Sequence, residues 1–386
     1  MRYLDLFSGV GTASLALNPL GWEHMAFSEV DEFPAAVLAN RWPEVPNLGD
    51  IRNVDWGEFI EGSGRPDVIV GGSPCTSFSV AGERTGLDGE SRLMYEYIRA
   101  VRETSPRWFI WENVPHVLTI QRGGAFGLLL SEMAGCGYQL AWRVLDSQWF
   151  GVAQRRRRVF LVGYLGDRPC ATAALFNRQS MQRYLDEGKE AREDLAGAVG
   201  AGSGRGDREG VGPAQGQPLI MASGQANSEY GVDVCTTLTA RQYKDPPILI
   251  DRAAFNQGVN AQYEPHIEQT EVSDTLVARG PHAVGVKVGD NWTVRRLTPK
   301  ETERLQGMPD DHTNLEGCDW ERVGTIVADA LRYEGEDRRK LMSMTKRWSK
   351  RTPDGLRYKC TGNSFSAPVV RWIGERIQMV ESIINR

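Results

Sequence analysis

The chain has few cysteines and no long apolar run, and both absences narrow its class. Six cysteines occur in 386 residues and none forms a Cys-x-x-Cys pair, so we expect reduced thiols, no zinc site and no disulfide framework. No stretch is long and apolar enough to span a bilayer, and Asp5 interrupts the first apolar stretch, so we expect no signal peptide. These absences predict a cytoplasmic protein that binds neither a membrane nor a metal.

The chain also has no excess of positive charge, because 45 Lys and Arg face 50 Asp and Glu and the net charge is −5. This balance argues weakly against a nucleic-acid partner, but the basic residues are clustered at Arg155–Arg158 and at Arg338–Arg351. An isolated basic run is usually a solvated surface. For the second cluster, the sequence leaves both a solvated helix and a phosphate-binding surface open.

Residues up to about Tyr164 alternate apolar runs with amphipathic stretches, which is typical of a parallel α/β sheet with helices on both faces. Tyr3–Phe7, Val68–Val70 and Trp108–Trp111 are strand candidates, and Glu32–Arg41 is a helix candidate. Near the other end, Thr298 and Glu301 predict a helix start with a capping box. A last helix is predicted from about Ala367 to Ile384.

The composition changes after Gly188, where a glycine-rich tract of about residues 188–216 is typical of a flexible loop. Residues of about 217–294 have short β-branched runs separated by Gly, Pro and Asn, which indicates a smaller, mixed, loop-rich domain. The predicted division is a first domain over 1–165, a second over 166–294, and a closing region over 295–386 with a charged, basic insertion at about 314–358 and a helix that returns to the first domain.

A glycine turn follows the first strand in Phe7-Ser8-Gly9-Val10-Gly11 and opens a helix. Glycines there let the backbone approach a ligand, and a helix N-terminus favours an electron-rich group. The acid Glu29 ends the next strand about 20 residues later, where a carboxylate can hold ribose hydroxyls. This arrangement predicts an adenosine-containing cofactor.

Two reactive groups follow later strands of the same predicted sheet. Cys75 leaves the strand at Val68–Val70 through Gly72-Ser73-Pro74, and Glu112 ends the strand that begins at Trp108. Taken singly, the cysteine is more often an apolar filler and the acid a surface group or helix cap. Together, a thiolate can attack a ring carbon while the acid protonates or hydrogen-bonds a ring nitrogen, and pyrimidine C6 is such a target.

The chain resembles the cytosine-C5 DNA methyltransferases in six motifs that occur in family order. The segments are Asp5–Gly11, Gly72–Cys75 with Phe78-Ser79, Glu112–Val114, Gln154–Arg158, Arg296–Asp310 and Gly362–Ser364. The motif order and the Thr-Leu segments are most similar to phage or prophage members, so we expect a cytoplasmic protein, in the bacterial host cytoplasm if it is phage-encoded. The resemblance implies a Rossmann-like S-adenosylmethionine-dependent catalytic domain with a target-recognition domain inserted before the closing motifs.

By this resemblance, Cys75 adds to C6 of a cytosine flipped out of duplex DNA, and Glu112 holds N3 and the exocyclic amine. C5 then takes the methyl group of S-adenosylmethionine. Arg158 is expected at the base carbonyl, and Arg156 is expected to support the Cys75 loop or its sulfur. The cofactor contacts carried over from the family are Phe7, Gly9, Val10, Gly11, Glu29, Val30, Asp50, Ile51, Pro74, Leu93, Asn363, Ser364 and Phe365.

The recognition region contains two similar segments, Cys235–Arg241 and Ser273–Arg279. Either could be the family's Thr-Leu signature, and the sequence leaves open whether they give one specificity or two. The candidate DNA-recognition residues are Thr237, Leu238, Arg241, Thr275, Leu276 and Arg279.

Three residues depart from the family pattern: Thr12, Thr76 and Phe365. Thr76 follows the cysteine where many members have Gln, and Phe365 could alter the methionine end of the cofactor site and with it the donor preference. A tRNA cytosine methyltransferase, a non-catalytic DNA-binding relative and a folate-dependent pyrimidine methylase are the alternatives. We expect a monomer that acts on double-stranded DNA.

Overall fold

The computed structural model describes residues 1–74, 91–176 and 291–385, with short strands at 219–220, 273–274 and 283–288. Six strands form the main sheet in the spatial order β2-β1-β3-β4-β7-β5. The strands are β1 (Arg2–Leu6), β2 (Glu23–Ser28), β3 (Val68–Gly71), β4 (Trp108–Asn113), β5 (Tyr138–Asp146) and β7 (Arg157–Leu165). The predicted α/β sheet is therefore confirmed.

The sheet is mixed, whereas the sequence pattern indicated a parallel one. β1, β2, β3 and β4 are parallel, but β7 runs antiparallel to both β4 and β5. Two consecutive parallel strands need a crossover connection of a dozen or more residues. The connection from Asp146 to Arg157 is shorter than that, so the chain reverses direction and β7 starts at the edge where β4 ends.

Helices cover both faces because the strand side chains alternate between two cores. On one face, Tyr3, Val70 and Ile110 pack against the first and last helices of the chain. On the other face, Leu4 and Phe109 pack against helices that lie between β2 and β5. These helices are α1 (Thr12–Leu17), α2 (Glu32–Arg41), α3 (Trp56–Ser63), α4 (Ser91–Thr104), α5 (Gly124–Gly135), α6 (Cys170–Leu175) and, at the end, α11 (Ala367–Ile384). The last helix has the predicted bounds.

Short strands of the middle region join the described structure. β8 (Leu219–Ile220), β10 (Ala283–Val288) and β11 (Asn291–Arg296) form a three-stranded antiparallel sheet. β6 (Gln154–Arg155) pairs in parallel with β9 (Ser273–Asp274). The glycine-rich tract and the six candidate recognition residues lie outside the described residues.

The closing region begins with α7 (Pro299–Leu305), whose capping box between Thr298 and Glu301 confirms the predicted helix start. It continues with α8 (Trp320–Ala330), α9 (Gly335–Lys350) and α10 (Asp354–Asn363). The charged insertion is thus helical over most of its length. None of the described helices could cross a membrane, because none is both long and apolar enough.

Candidate active site

The glycine turn after β1 has the left-handed backbone that its sequence predicts. Gly9 and Gly11 have φ values of 55° and 75°, and Phe7 adopts the same region with φ 55°, which is uncommon for a residue other than glycine. A Cβ on Gly11 would collide with the Trp42 ring. The glycine at position 11 therefore lets the turn at the carboxyl end of β1 pack closely against the Trp42 ring.

Glu29 closes this turn from the end of β2. Its carboxylate accepts hydrogen bonds from the backbone N–H groups of Gly9, Val30 and Asp31, each at 2.8 Å. Burial outweighs these donors and raises the pKa of Glu29 to about 6. Val30 next to it leaves 53% of its surface exposed, so an apolar patch stands beside the carboxylate.

Asp50 and Ile51 lie at the start of a short turn between α2 and α3. Asp50 accepts a hydrogen bond from the backbone N–H of Arg52 at 3.0 Å and forms an ion pair with its guanidinium. Arg52 holds the pKa of the Asp50 carboxyl below its usual range. Ile51 is buried, and Leu93 on α4 is half-buried.

The segment that leads to Cys75 is fixed by two side chains of β4. The indole Nε1 of Trp111 donates to Ser73 Oγ at 3.1 Å, and the amide Nδ2 of Asn113 donates to the Ser73 carbonyl at 3.0 Å. Pro74 is the last described residue before the gap, so Cys75 itself lies outside the described residues. The sequence reasoning missed these anchoring roles of Trp111 and Asn113, although Asn113 stands inside the Glu-Asn-Val motif.

Glu112 and Arg158 form an ion pair at the edge where β4 ends and β7 begins. Arg158 Nε lies 3.2 Å from Glu112 Oε1, and both side chains are almost completely shielded from solvent. A Cβ on Gly72 would stand 3.1 Å from Glu112 Oε2, so the carboxyl group packs on the backbone just before Cys75. Burial raises the pKa of Glu112, although Arg158 and Arg156 oppose the shift.

Arg156 is buried and points toward the last motif. Its Nη1 donates to the carbonyl of Gly362 at 3.2 Å, and its Nη2 donates to the carbonyl of Ser364 at 2.6 Å. Its Nε has no hydrogen-bond partner among the residues that the structure describes. The backbone N–H of Arg156 is held by Asp146 at 2.9 Å, a contact that the sequence did not predict. Arg156 thus joins the catalytic edge to the carboxyl end of α10.

The last motif lies between this edge and the glycine turn. Asn363 is exposed, while Ser364 and Phe365 are buried. A Cβ on Gly9 would be 4.0 Å from Ser364 Oγ, and one on Gly72 would be 3.6 Å from the Phe365 ring. The glycine turn, the segment before Cys75 and the last motif therefore meet along one edge of the sheet, with the Glu29 carboxylate and the Phe365 ring beside them.

Among the described residues, this edge holds no candidate metal centre. No group of three or more His, Cys, Asp or Glu residues suited to a metal ion occurs in the part of the chain that the structure describes.

The sequence of the chain is similar to those of known DNA methyltransferases. The sequence model of the C-5 cytosine-specific DNA methylase family matches residues 1–321. A protein of Escherichia phage P1 named DNA N-6-adenine-methyltransferase is 31% identical over 97% of this chain, and the chain spans 61% of that protein's length. The type II methyltransferase M.NgoPII of Neisseria gonorrhoeae is 27% identical over 86% of this chain and 94% of its own length.

Solved structures show the same fold at low sequence identity. The S. pombe Dnmt2 methyltransferase has a TM-score of 0.59 at 13% identity, over the whole of both chains. The structure of a putative DNA modification methyltransferase encoded within an Escherichia coli prophage has a TM-score of 0.56 at 16% identity, over 99% of each chain. The chain thus has the fold of these two methyltransferase structures. Because the family model covers most of the sequence, the chain belongs to the C-5 cytosine-specific DNA methylase family.

Proposed function

We propose that this protein transfers a methyl group from S-adenosylmethionine to C5 of a flipped cytosine in duplex DNA, through a covalent bond between Cys75 and C6. The observation that carries the proposal is the Glu112–Arg158 pair, which packs on Gly72 three residues before Cys75. A carboxylic acid, a guanidinium and a cysteine loop at one sheet edge are the groups that this chemistry needs.

In this mechanism the Cys75 thiolate adds to C6 and the ring electrons move toward C5 and N3. Glu112 hydrogen-bonds or protonates N3, and its raised pKa favours the protonated form that can donate there. Arg158 holds the Glu112 carboxyl group and reaches the base carbonyl. S-adenosylmethionine would supply an electrophilic methyl group, which C5 accepts as S-adenosylhomocysteine leaves. A water molecule then takes the C5 proton, and the electrons of the C5–H bond form the C5–C6 double bond and expel the Cys75 thiolate from C6.

We assign the predicted cofactor residues to the same edge of the sheet. Glu29 would accept from the ribose hydroxyls, Val30 and Ile51 would pack against the adenine, and Asp50 would accept from its amino group. Phe7, Gly9 and Asn363 would approach the methionine portion. Phe365 packs on Gly72 beside Glu112, which places the unusual residue of the last motif next to the reacting groups.

Duplex DNA as the substrate requires that the cytosine leave the base stack. Recognition residues are proposed in the region before β11. β9 pairs with β6 in the Gln-x-Arg-x-Arg motif, and Asp274 is followed directly in the sequence by Thr275. This connection favours the second Thr-Leu segment over the first as the one that acts beside the catalytic edge.

The name of the phage P1 relative supplies a second candidate, methylation of adenine at N6. The two reactions are separated by digesting DNA treated with the protein and S-adenosylmethionine, and measuring the nucleosides by mass spectrometry. We expect 5-methyldeoxycytidine, and N6-methyldeoxyadenosine alone would refute the proposal. Methylation of tRNA and not of duplex DNA would support the tRNA alternative.

Cys75→Ser tests the covalent step. We expect it to abolish methyl transfer while DNA binding stays close to that of the wild type, because a hydroxyl is a far weaker nucleophile than a thiolate. Cys136→Ser is the matched control, since Cys136 is a half-buried free cysteine at the end of α5. Wild-type methylation by Cys75→Ser, or failure to trap a covalent complex on 5-fluorocytosine DNA, would contradict the mechanism.

A further inference from the structure

Helix α9 has one buried face and one basic face. Leu341, Thr345 and Trp348 are buried at helical spacing. At about 100° per residue, Arg339, Lys346 and Lys350 lie within about 40° of one another on the opposite side. All three are exposed, and residues 338–351 include seven Lys or Arg and no Asp or Glu.

Most of these cations lack an acidic partner in the described part of the chain. Arg338 pairs with Asp329, and Lys346 lies 4.8 Å from the centre of the Trp320 ring. The helix dipole favours basic residues in the last turn only, so it accounts for Arg347 and Lys350 but not for Arg339 and Lys340. In a chain of net charge −5, this local excess needs another reason.

The position of α9 relates it to the active-site edge. The Trp348 ring packs edge-on against Phe33 at 5.2 Å, and Tyr333, just before α9, lies beside Glu32. Phe33 and Glu32 form the first turn of α2, which begins three residues after Glu29. In open α/β sheets, ligands approach this carboxyl edge. The basic helix therefore lies along the same side of the molecule as the proposed cofactor and cytosine sites.

The helix is also firmly mounted. Gly317 donates its backbone N–H to the Ser349 carbonyl at 2.8 Å, and Leu315 donates to Thr352 Oγ1 at 2.8 Å. The buried face joins a core formed with Val323 and Val327 of α8. A charged surface on such a rigid support can hold a polyanion without first being ordered.

We propose that the solvent face of α9 binds the phosphate backbone of duplex DNA flanking the target base. This inference takes only one point from the proposed function, namely that the substrate is duplex DNA. The distance from Arg339 to Lys350 along the helix is about 16 Å, which matches about five phosphates at a rise of 3.4 Å per strand. The contact gives affinity without reading sequence, because phosphates are the same at every base pair.

The test compares Arg339→Gln, Lys346→Gln and Lys350→Gln in one variant with the wild type. DNA affinity is measured over a series of salt concentrations, on a duplex of about 30 base pairs and on one of about 12 with the same methylatable centre. We expect the variant to bind the long duplex at least tenfold more weakly near 0.15 M salt. The slope of the logarithm of the binding constant against the logarithm of the salt concentration should be smaller in magnitude by about 2 to 3. Methylation of the short duplex and cofactor affinity stay as in the wild type.

The control variant is Arg65→Gln, Arg102→Gln and Arg168→Gln, which removes three exposed charges from the opposite edge of the sheet. Because its net charge changes equally, it separates the local contact from general electrostatics. If both variants lose the same affinity, or if neither does, the inference is wrong and α9 is a solvated helix. If the wild type methylates no DNA but the α9 variant binds DNA more weakly than the control variant does, the proposed function fails and the proposed DNA contact stands.

Discussion

Arg156 offers the sharpest test of how the two halves of the site are coupled. Its guanidinium donates to the carbonyls of Gly362 and Ser364, which flank the proposed cofactor residue Asn363. Hydrogen bonds to charged groups contribute about 1.5–3 kcal/mol each. Arg156→Met removes both bonds, and the binding energy of the cofactor must then order the carboxyl end of α10. If the energy of one such bond is lost in this way, the Kd for S-adenosylmethionine rises by about 10- to 150-fold, since 1.4 kcal/mol is tenfold.

The assay is isothermal titration of S-adenosylmethionine into the protein in the absence of DNA. Arg158→Met is the matched control, because Arg158 pairs with Glu112 and makes no described contact to the last motif. We expect Arg158→Met to bind the cofactor with a Kd within a few-fold of the wild type while methylation is lost. Thermal unfolding establishes that both variants are folded. A folded Arg156→Met protein with the wild-type Kd would refute the coupling.

Two further outcomes follow from other parts of the structure. The carboxyl group of Glu29 has a raised pKa of about 6, and it must be ionised to accept hydrogen bonds from two ribose hydroxyls. Cofactor affinity is therefore constant above pH 6 and falls as the pH decreases below it, by up to about tenfold per pH unit. Titrations at several pH values check this, and an unchanged slope in Glu29→Gln would contradict the assignment. Arg357→Met leaves the fully buried Glu303 without its ion pair, which we expect to cost about 3–5 kcal/mol of unfolding free energy. Urea denaturation measures the loss, with Arg338→Met, which breaks the exposed pair to Asp329, as the control. A loss no larger than that of the control would contradict the expectation.

The local features were the most predictable from sequence. The capping box at Thr298 depends on groups three residues apart, and the left-handed turn at Gly9 and Gly11 depends on the lack of a Cβ. Such features are decided within a few residues, so tertiary packing leaves them unchanged. The direction of β7 was not predictable in this way, because an apolar run is the same in a parallel and an antiparallel strand.

The amino-acid sequence by itself determined the order of the motifs, the Pro74-Cys75 dipeptide at the exit of a strand, the acid at Glu29 and the bounds of the last helix. Only the tertiary structure decided that Arg156 binds the carboxyl end of α10 at Gly362 and Ser364, more than 200 residues away, and that Arg158 pairs with Glu112. It also decided that α9 turns its basic face outward at the active-site edge. Contacts of this kind depend on which buried charges and apolar faces find partners across the chain, and residue spacing does not encode that choice.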